Sequence, residues 1–312
     1  DVGVSEAWFN KDFDQVMSLP GTTDEAQLGV PNTLFPSVEK PQILHLTRKY
    51  SYLGPAWYTK DVEIPSDWKD KSIELNLERV IWNTSVWVDG QKVDFEEESL
   101  ISPHRYDLTQ YLSPGKHKIA IRVDNRKRYD ISAGNLAHGY TNDTQIIWNG
   151  VIGDISLTAR DPEFIEDVQV YPNIADKNIN VVAELQNNTA GSAEVTLKGV
   201  VKDKDSGKQV GSFTKKVSLV AGLNSVEETI ALQPEMVELW SEFNPKLYTL
   251  DMSLESGVSQ SQKSVNFGMR EFSIDNANLL VNGNPVFLRG TLECNIFPLT
   301  GRPPMDKAGW MK

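Results

Sequence analysis

Apolar and polar residues alternate with period two along most of this chain. Tyr58, Val62 and Ile64 share one face of their run; so do Ile73, Leu75 and Leu77, then Ile119, Ile121 and Val123, then Ile155 and Leu157. Such alternation predicts antiparallel strands with one buried face. The dipeptides Asp89-Gly90 and Pro114-Gly115 separate runs and have the chemistry of tight turns. The block from the N-terminus to about Arg160 is therefore expected to be a β-sandwich or jelly roll. A second block, from about Asp161 to Gly268, holds seven candidate strands. They lie around Ile165–Val170, Ile179–Leu185, Val195–Val201, Phe213–Leu219, Val226–Leu232, Tyr248–Leu254 and Val265–Phe267. Short strands at this density predict an Ig-like sandwich. Asp161-Pro162 is the expected boundary, and Asp203–Gly207 reads as a hairpin tip.

A third piece starts at Met269. Asn282-Gly283 between apolar runs predicts a hairpin with a type I′ turn. The apolar run Val286–Gly290 follows, and then a polar, proline-rich segment to Lys312. By pattern alone the piece is either an extra hairpin padding the second sandwich or the opening of a further domain. A lone apolar strand cannot complete a core, so the chain reads as cut. On that reading Val286–Arg289 lacks partners, and truncation at Gly268 costs little stability.

Composition narrows the function. The chain has 312 residues, 39% of them hydrophobic, and a net charge of −12 from 43 acidic and 31 basic residues. Nucleic acid and anionic membranes both call for a basic face, so neither is an expected partner. No apolar run approaches the ~20 residues a membrane-spanning helix needs. Cys294 is the only cysteine, which excludes an internal disulfide. His45, His104, His117 and His138 show no ligand spacing, so neither metal nor cofactor is expected. No signal peptide is visible, and the chain opens at Asp1 rather than methionine, which suggests processing or trimming.

Several segments carry a resemblance. Leu19-Pro20-Gly21, Gly54–Pro65, Val86–Val93 (VWVDGQKV), Tyr106–Leu112, Gly115–Asn125 and Trp148–Leu157 resemble, in order, the N-terminal sandwich of glycoside hydrolase family 2. Leu239–Leu250 (LWSEFNPKLYTL) resembles its Ig-like domain. Phe267–Gly290 resembles the junction where that domain hands over to a TIM barrel. The resemblance implies an all-β chain: a galactose-binding-like jelly roll at 1–160, an Ig-like sandwich at 161–268, and the first strand of a truncated TIM barrel within 269–312. It implies the non-catalytic N-terminal part of an exo-acting retaining β-glycosidase, most like a β-galactosidase. Such an enzyme would meet its carbohydrate substrate through the absent barrel, in the periplasm or outside the cell. The rival reading is a stand-alone carbohydrate-binding or adhesive protein.

Glycoside cleavage needs two carboxylates flanking the sugar. The sequence offers no convincing pair: Glu96-Glu97-Glu98 reads as a solvated run, and no residue matches the family's acid/base or nucleophile motif. No catalytic residue is assigned. Arg289, Glu293 and Asn295 would lie at the top of the first barrel strand, where Arg289 would pair with a catalytic carboxylate or make a structural ion pair. Relatives place a histidine near the position of Glu293. Cys294 reads as a buried structural thiol rather than a nucleophile. Asp124 and Asn125 end a strand and open the irregular segment 126–144; either they contact sugar or a cation, as in some relatives, or they form an Asx turn. His138 and Asn149 lie nearby. Trp57, Trp82, Trp87, Trp148 and Trp240 are candidate stacking platforms, although most such residues are core. Trp87 alternates out of phase with Val86 and Val88 and is expected to face the second sandwich or the absent barrel. Asn83, Asn142 and Asn187 match the glycosylation pattern.

Overall fold

The computed structural model describes residues 1–31, 33, 49–129, 131, 147–292 and 302–311. They fall into two units. The first holds Asp1–Lys69, Ile73–Ala159 and the C-terminal segment 302–311; the second holds Asp70–Ser72 and Arg160–Leu292.

The first unit contains β1 (Gly21–Thr22), β2 (Val30–Pro31), β3 (Tyr50–Ser51), β4 (Pro55–Ile64) and β5 (Ser72–Arg79). It continues with β6 (Asn83–Val88), β7 (Gln91–Glu98), β8 (His104–Asp107), β9 (Gly115–Asp124) and β10 (Gly150–Arg160). One antiparallel sheet runs β4-β9-β6-β7 and another β1-β10-β5-β8. The alternating residues read from the sequence line the core. Leu75, Leu77, Ile119, Ile121 and Val123 are buried, and Tyr58, Val62, Ile155 and Leu157 pack against them. Each such aliphatic side chain contributes roughly 1.5–3 kcal/mol by leaving water. The Asp89-Gly90 turn has φ of 49° and 81°, the positive pair a type I′ hairpin requires.

Strand β6 is buried along its whole length. Val86 and Val88 enter the core, and Trp87 points the opposite way. There it stacks on Phe9, with ring centroids 5.5 Å apart and planes 4° from parallel, and it meets Trp57 at 4.8 Å. Phe9 sits just after the short helix α1 (Val2–Ser5). So Trp87 does leave the core, but it is covered by the unit's own N-terminal segment rather than by another domain. Gly3 lies so close to Trp57 that a Cβ would stand 2.2 Å from the indole nitrogen. Only glycine fits that approach.

The second unit opens with β11 (Glu163–Asn173), β12 (Asn178–Asn187), β13 (Ala193–Asp203), β14 (Gln209–Leu219), β15 (Gly222–Ala231), β16 (Tyr248–Glu255) and β17 (Gln260–Phe267). One sheet is β11-β12-β15 and the other β14-β13-β16-β17, the two-layer arrangement of Ig-like sandwiches. Ile179, Leu185, Leu197, Leu219, Leu250 and Leu254 form the core between them. At the β13–β14 tip, Asp203 accepts bonds from the backbone N–H of Asp205 and Ser206. Lys246 reaches the carboxylates of both Asp203 (2.8 Å) and Asp205 (2.9 Å).

The core of this unit runs past Gly268. Met269 has 0% exposure, and its carbonyl accepts the Trp240 N–H at 2.9 Å. The expectation that the chain beyond Gly268 contributes little is therefore corrected. A small sheet follows: β18 (Phe272–Asp275), β19 (Asn278–Val281) and β20 (Asn284–Pro285). Asn282 and Gly283 have φ of 51° and 75°, so the predicted turn is present. The Asn282 side chain accepts from Glu271 N–H and donates to the Trp240 carbonyl, each at 2.9 Å. Val286 N–H donates to Leu279, and there the pairing stops. Val286–Gly290, expected to be the first barrel strand, forms no strand, and Phe287 is 85% exposed. A strand needs a neighbouring ladder, and none of the described residues supplies one.

Candidate functional site

The β4-β9-β6-β7 sheet ends where β9 delivers Asp124 and Asn125. Asp124 is 1% exposed. Arg126 grips it with Nε (2.9 Å) and Nη2 (2.6 Å), and Arg122 adds Nη2 at 2.8 Å. The Arg126 backbone N–H donates to the same carboxylate at 3.2 Å, which closes the Asx turn. Burial disfavours the charged carboxylate. The hydrogen bonds from Arg126 and the two guanidinium charges outweigh it, and the pKa is lowered. Asp124 is thus a fixed anion with its lone pairs engaged, unsuited to donate a proton. Arg122 also binds the Asp1 carboxylate.

Asn125 is fully buried. Its Oδ1 accepts from Gly54 N–H at 2.9 Å, and its Nδ2 donates to the carbonyls of Tyr52 (2.8 Å) and Trp148 (3.1 Å). Asn149 complements it. Its Oδ1 accepts the Tyr58 hydroxyl proton at 2.7 Å, and its Nδ2 donates to the Gly54 and Val123 carbonyls. Burial pushes the Tyr58 hydroxyl pKa up, so it stays a donor. Two asparagines therefore staple the ends of β4, β9 and β10 together, and neither faces solvent.

What this edge presents is Arg126, whose side chain is 57% exposed. Sequence reasoning singled out Asp124 and Asn125 and passed over it. The signal was there: Arg126-Lys127-Arg128 is a basic run in an acidic protein, directly after the chosen pair. Arg128 lies 3.6 Å from Glu98. The edge offers an exposed guanidinium, which suits an anion or a hydroxyl-rich ligand, and its buried Asp124 carboxylate is fully engaged.

The other candidates do not join it. Arg289 is exposed in the second unit and makes no ion pair among the described residues. Glu293, Cys294, Asn295, His138 and Asn142 lie outside the described residues. Trp82 and Trp148 are buried, Trp57 and Trp87 pack with Phe9, and the Arg270 guanidinium lies 4.7 Å from the Trp240 ring centre. Asn83 and Asn187 are buried at 3% and 1% exposure, with their amides bonded to Glu97 and Gly191 carbonyls. Asp203 and Asp205 do come together, but around an ammonium. No group of three potential metal ligands occurs among the described residues.

Two family models match in tandem. Residues 1–160 match the sugar binding domain of glycosyl hydrolases family 2, and 163–270 match the domain named for the family itself. The chain belongs to glycoside hydrolase family 2. Among curated relatives, a β-galactosidase of Clostridium acetobutylicum is 25% identical over 272 residues, covering 83% of this chain and 27% of its own. A β-galactosidase of Thermoanaerobacter pseudethanolicus is 26% identical over 314 residues, 95% of this chain and 37% of its own. A crystal structure of a Bacteroides uniformis β-glucuronidase superposes with a TM-score of 0.70 at 20% identity, covering 91% of this chain and 33% of the enzyme. That likeness shows the fold. The family 2 chain described here thus spans only 27% to 37% of the length of these curated relatives.

Proposed function

We propose that the two sandwiches are the non-catalytic N-terminal portion of an exo-acting retaining β-glycosidase, with a β-galactosidase-like specificity. The observation that carries this is the tandem match itself: a sugar binding domain, then the second family 2 domain, in the order and at the fraction of length found in β-galactosidases. The acid/base and nucleophile carboxylates lie on residues outside this chain, and the carbohydrate is engaged mainly there. This chain contributes Arg126 to that site, held in place by Asp124. A guanidinium fixed on a buried carboxylate suits hydroxyls or a carboxylate of a sugar, because its remaining donors stay aimed outward.

The test is the gene beyond Lys312. The reading expects several hundred further codons of alternating strand and helix with an Asn-Glu pair, and a product that cleaves β-galactosides in preference to β-glucuronides and β-mannosides. A stop codon at or near Lys312 overturns the enzyme reading. Preference for β-glucuronides overturns only the sugar. In the full product, Arg126→Gln is expected to raise KM with little change in kcat.

A further inference from the structure

The C-terminal segment does not trail from the second unit; residues 302–311 belong to the first. Their anchor is Arg302. Its Nε and Nη2 donate to the two oxygens of Glu25, each at 2.8 Å, a bidentate pair whose side chains are only 12% and 27% exposed. Glu25 is already fixed: it accepts the Thr22 backbone N–H at 3.1 Å, and its own N–H donates to the Thr22 hydroxyl at 3.3 Å. Thr22 is in turn held on β10 through its pairing with Gly150. A second anchor is Met305, whose sulfur accepts the Gly153 N–H of β10 at 3.0 Å.

The segment between and beyond these anchors is shaped to dock. Pro303 and Pro304 stiffen it, so less chain entropy is lost on ordering. Asp306 caps the short helix α2 (Lys307–Trp310) by accepting from Gly309 N–H at 2.7 Å, and the Trp310 indole donates back to the Pro304 carbonyl at 2.9 Å.

We infer that Glu25 and the β10 edge at Gly153 form a docking seat for Arg302–Met311, a clasp that returns the chain to the first sandwich after the second has been built. Resting on the glycosidase reading, this clasp is the point where the sugar binding domain grips the opening of the catalytic portion. The clasp itself is a property of these 312 residues and is tested on them.

The experiment is limited trypsinolysis at Lys307 with hydrogen exchange over 302–311, on the purified chain and on Arg302→Gln, Arg302→Lys, Glu25→Gln and the Arg302→Gln/Glu25→Gln double variant. The Arg302–Pro303 bond resists trypsin, so Lys307 reports the segment alone. Arg302→Gln is expected to speed cleavage about tenfold or more, since it removes both charge-assisted bonds of the fork. Arg302→Lys keeps charge without the fork and should fall between. The double variant should be no faster than the faster single, because both remove one interaction. Equal cleavage of the unaltered chain and Arg302→Gln overturns the clasp, as does full additivity with Glu25→Gln. Neither result bears on whether a catalytic domain exists, so the two readings fail separately.

Discussion

Replacing Asn125 by alanine tests whether the most buried of the sequence-derived site residues is a staple or a ligand contact. The side chain has 0% exposure and joins Gly54, Tyr52 and Trp148. Alanine removes one acceptor and two donors from a site without solvent exposure. The Gly54 N–H is the most damaging loss, because a buried donor left unmet costs about 1–3 kcal/mol. The Trp148 carbonyl, in a buried residue, adds about 1 kcal/mol, and the Tyr52 carbonyl less. Together the expected cost is about 2–5 kcal/mol, against a typical domain's total of ~5–15 kcal/mol. Urea titration followed by tryptophan fluorescence reads it, since Trp57, Trp82, Trp87 and Trp148 all lie in this unit. With a slope of about 2 kcal/mol per molar, the first unit's midpoint falls by about 1–2.5 M. A shift below about 0.5 M would refute the reasoning and return Asn125 to the list of ligand contacts. Asn125→Asp supplies an internal check. It keeps an acceptor for Gly54 but aims a second oxygen at two carbonyls. Burial raises the new carboxyl's folded pKa, so its deficit is largest above that pKa and shrinks as pH falls toward the unfolded value near ~3.9.

Three further outcomes are expected. The purified chain should not hydrolyse chromogenic β-galactosides, β-glucuronides or β-mannosides, and turnover that co-purifies with it through two orthogonal columns would disprove this. Asp203 has its pKa lowered to about 2, first by the Lys246 hydrogen bond and then by the Ser206 backbone. A depressed carboxylate stabilises above its unfolded pKa, so this contribution is intact near pH 5 and disappears as pH falls from about 4 to about 2. Lys246→Met should flatten that acid limb, and an unchanged midpoint-versus-pH curve would contradict it. Truncation after Gly268 removes Met269 from the core and should cost the second unit about 2–5 kcal/mol, whereas truncation after Pro285 should leave that unit's melting temperature nearly unchanged. Calorimetry on both decides.

Legibility followed locality. The seven strands of the second sandwich were readable because the buried face of a strand repeats every second residue, as Leu197, Gly199 and Val201 do in β13. The Asn282-Gly283 turn was readable because its geometry is written in two adjacent residues. Met269 was not, because its burial depends on Leu239 and Trp240, thirty positions earlier. Trp87 was half readable: alternation gave its direction, but the covering Phe9 comes from the far end of the chain. At the candidate site, the Asx turn of Asp124 was legible in sequence. The seizure of that carboxylate by Arg122 and Arg126 was not, since a charged pair at i, i+2 acquires meaning only once the strand ends and the chain bends.

Arg122 ties two carboxylates that lie more than a hundred positions apart, Asp1 and Asp124. Substitutions at those positions should not be inherited independently. A change at Asp1 loosens the guanidinium that helps keep Asp124 charged, and a change at Asp124 leaves Arg122 leaning on Asp1 alone. Their effects should combine non-additively. Across a set of homologous sequences the three positions should drift together as one unit of variation, linking the first residue of the chain to the edge that presents Arg126.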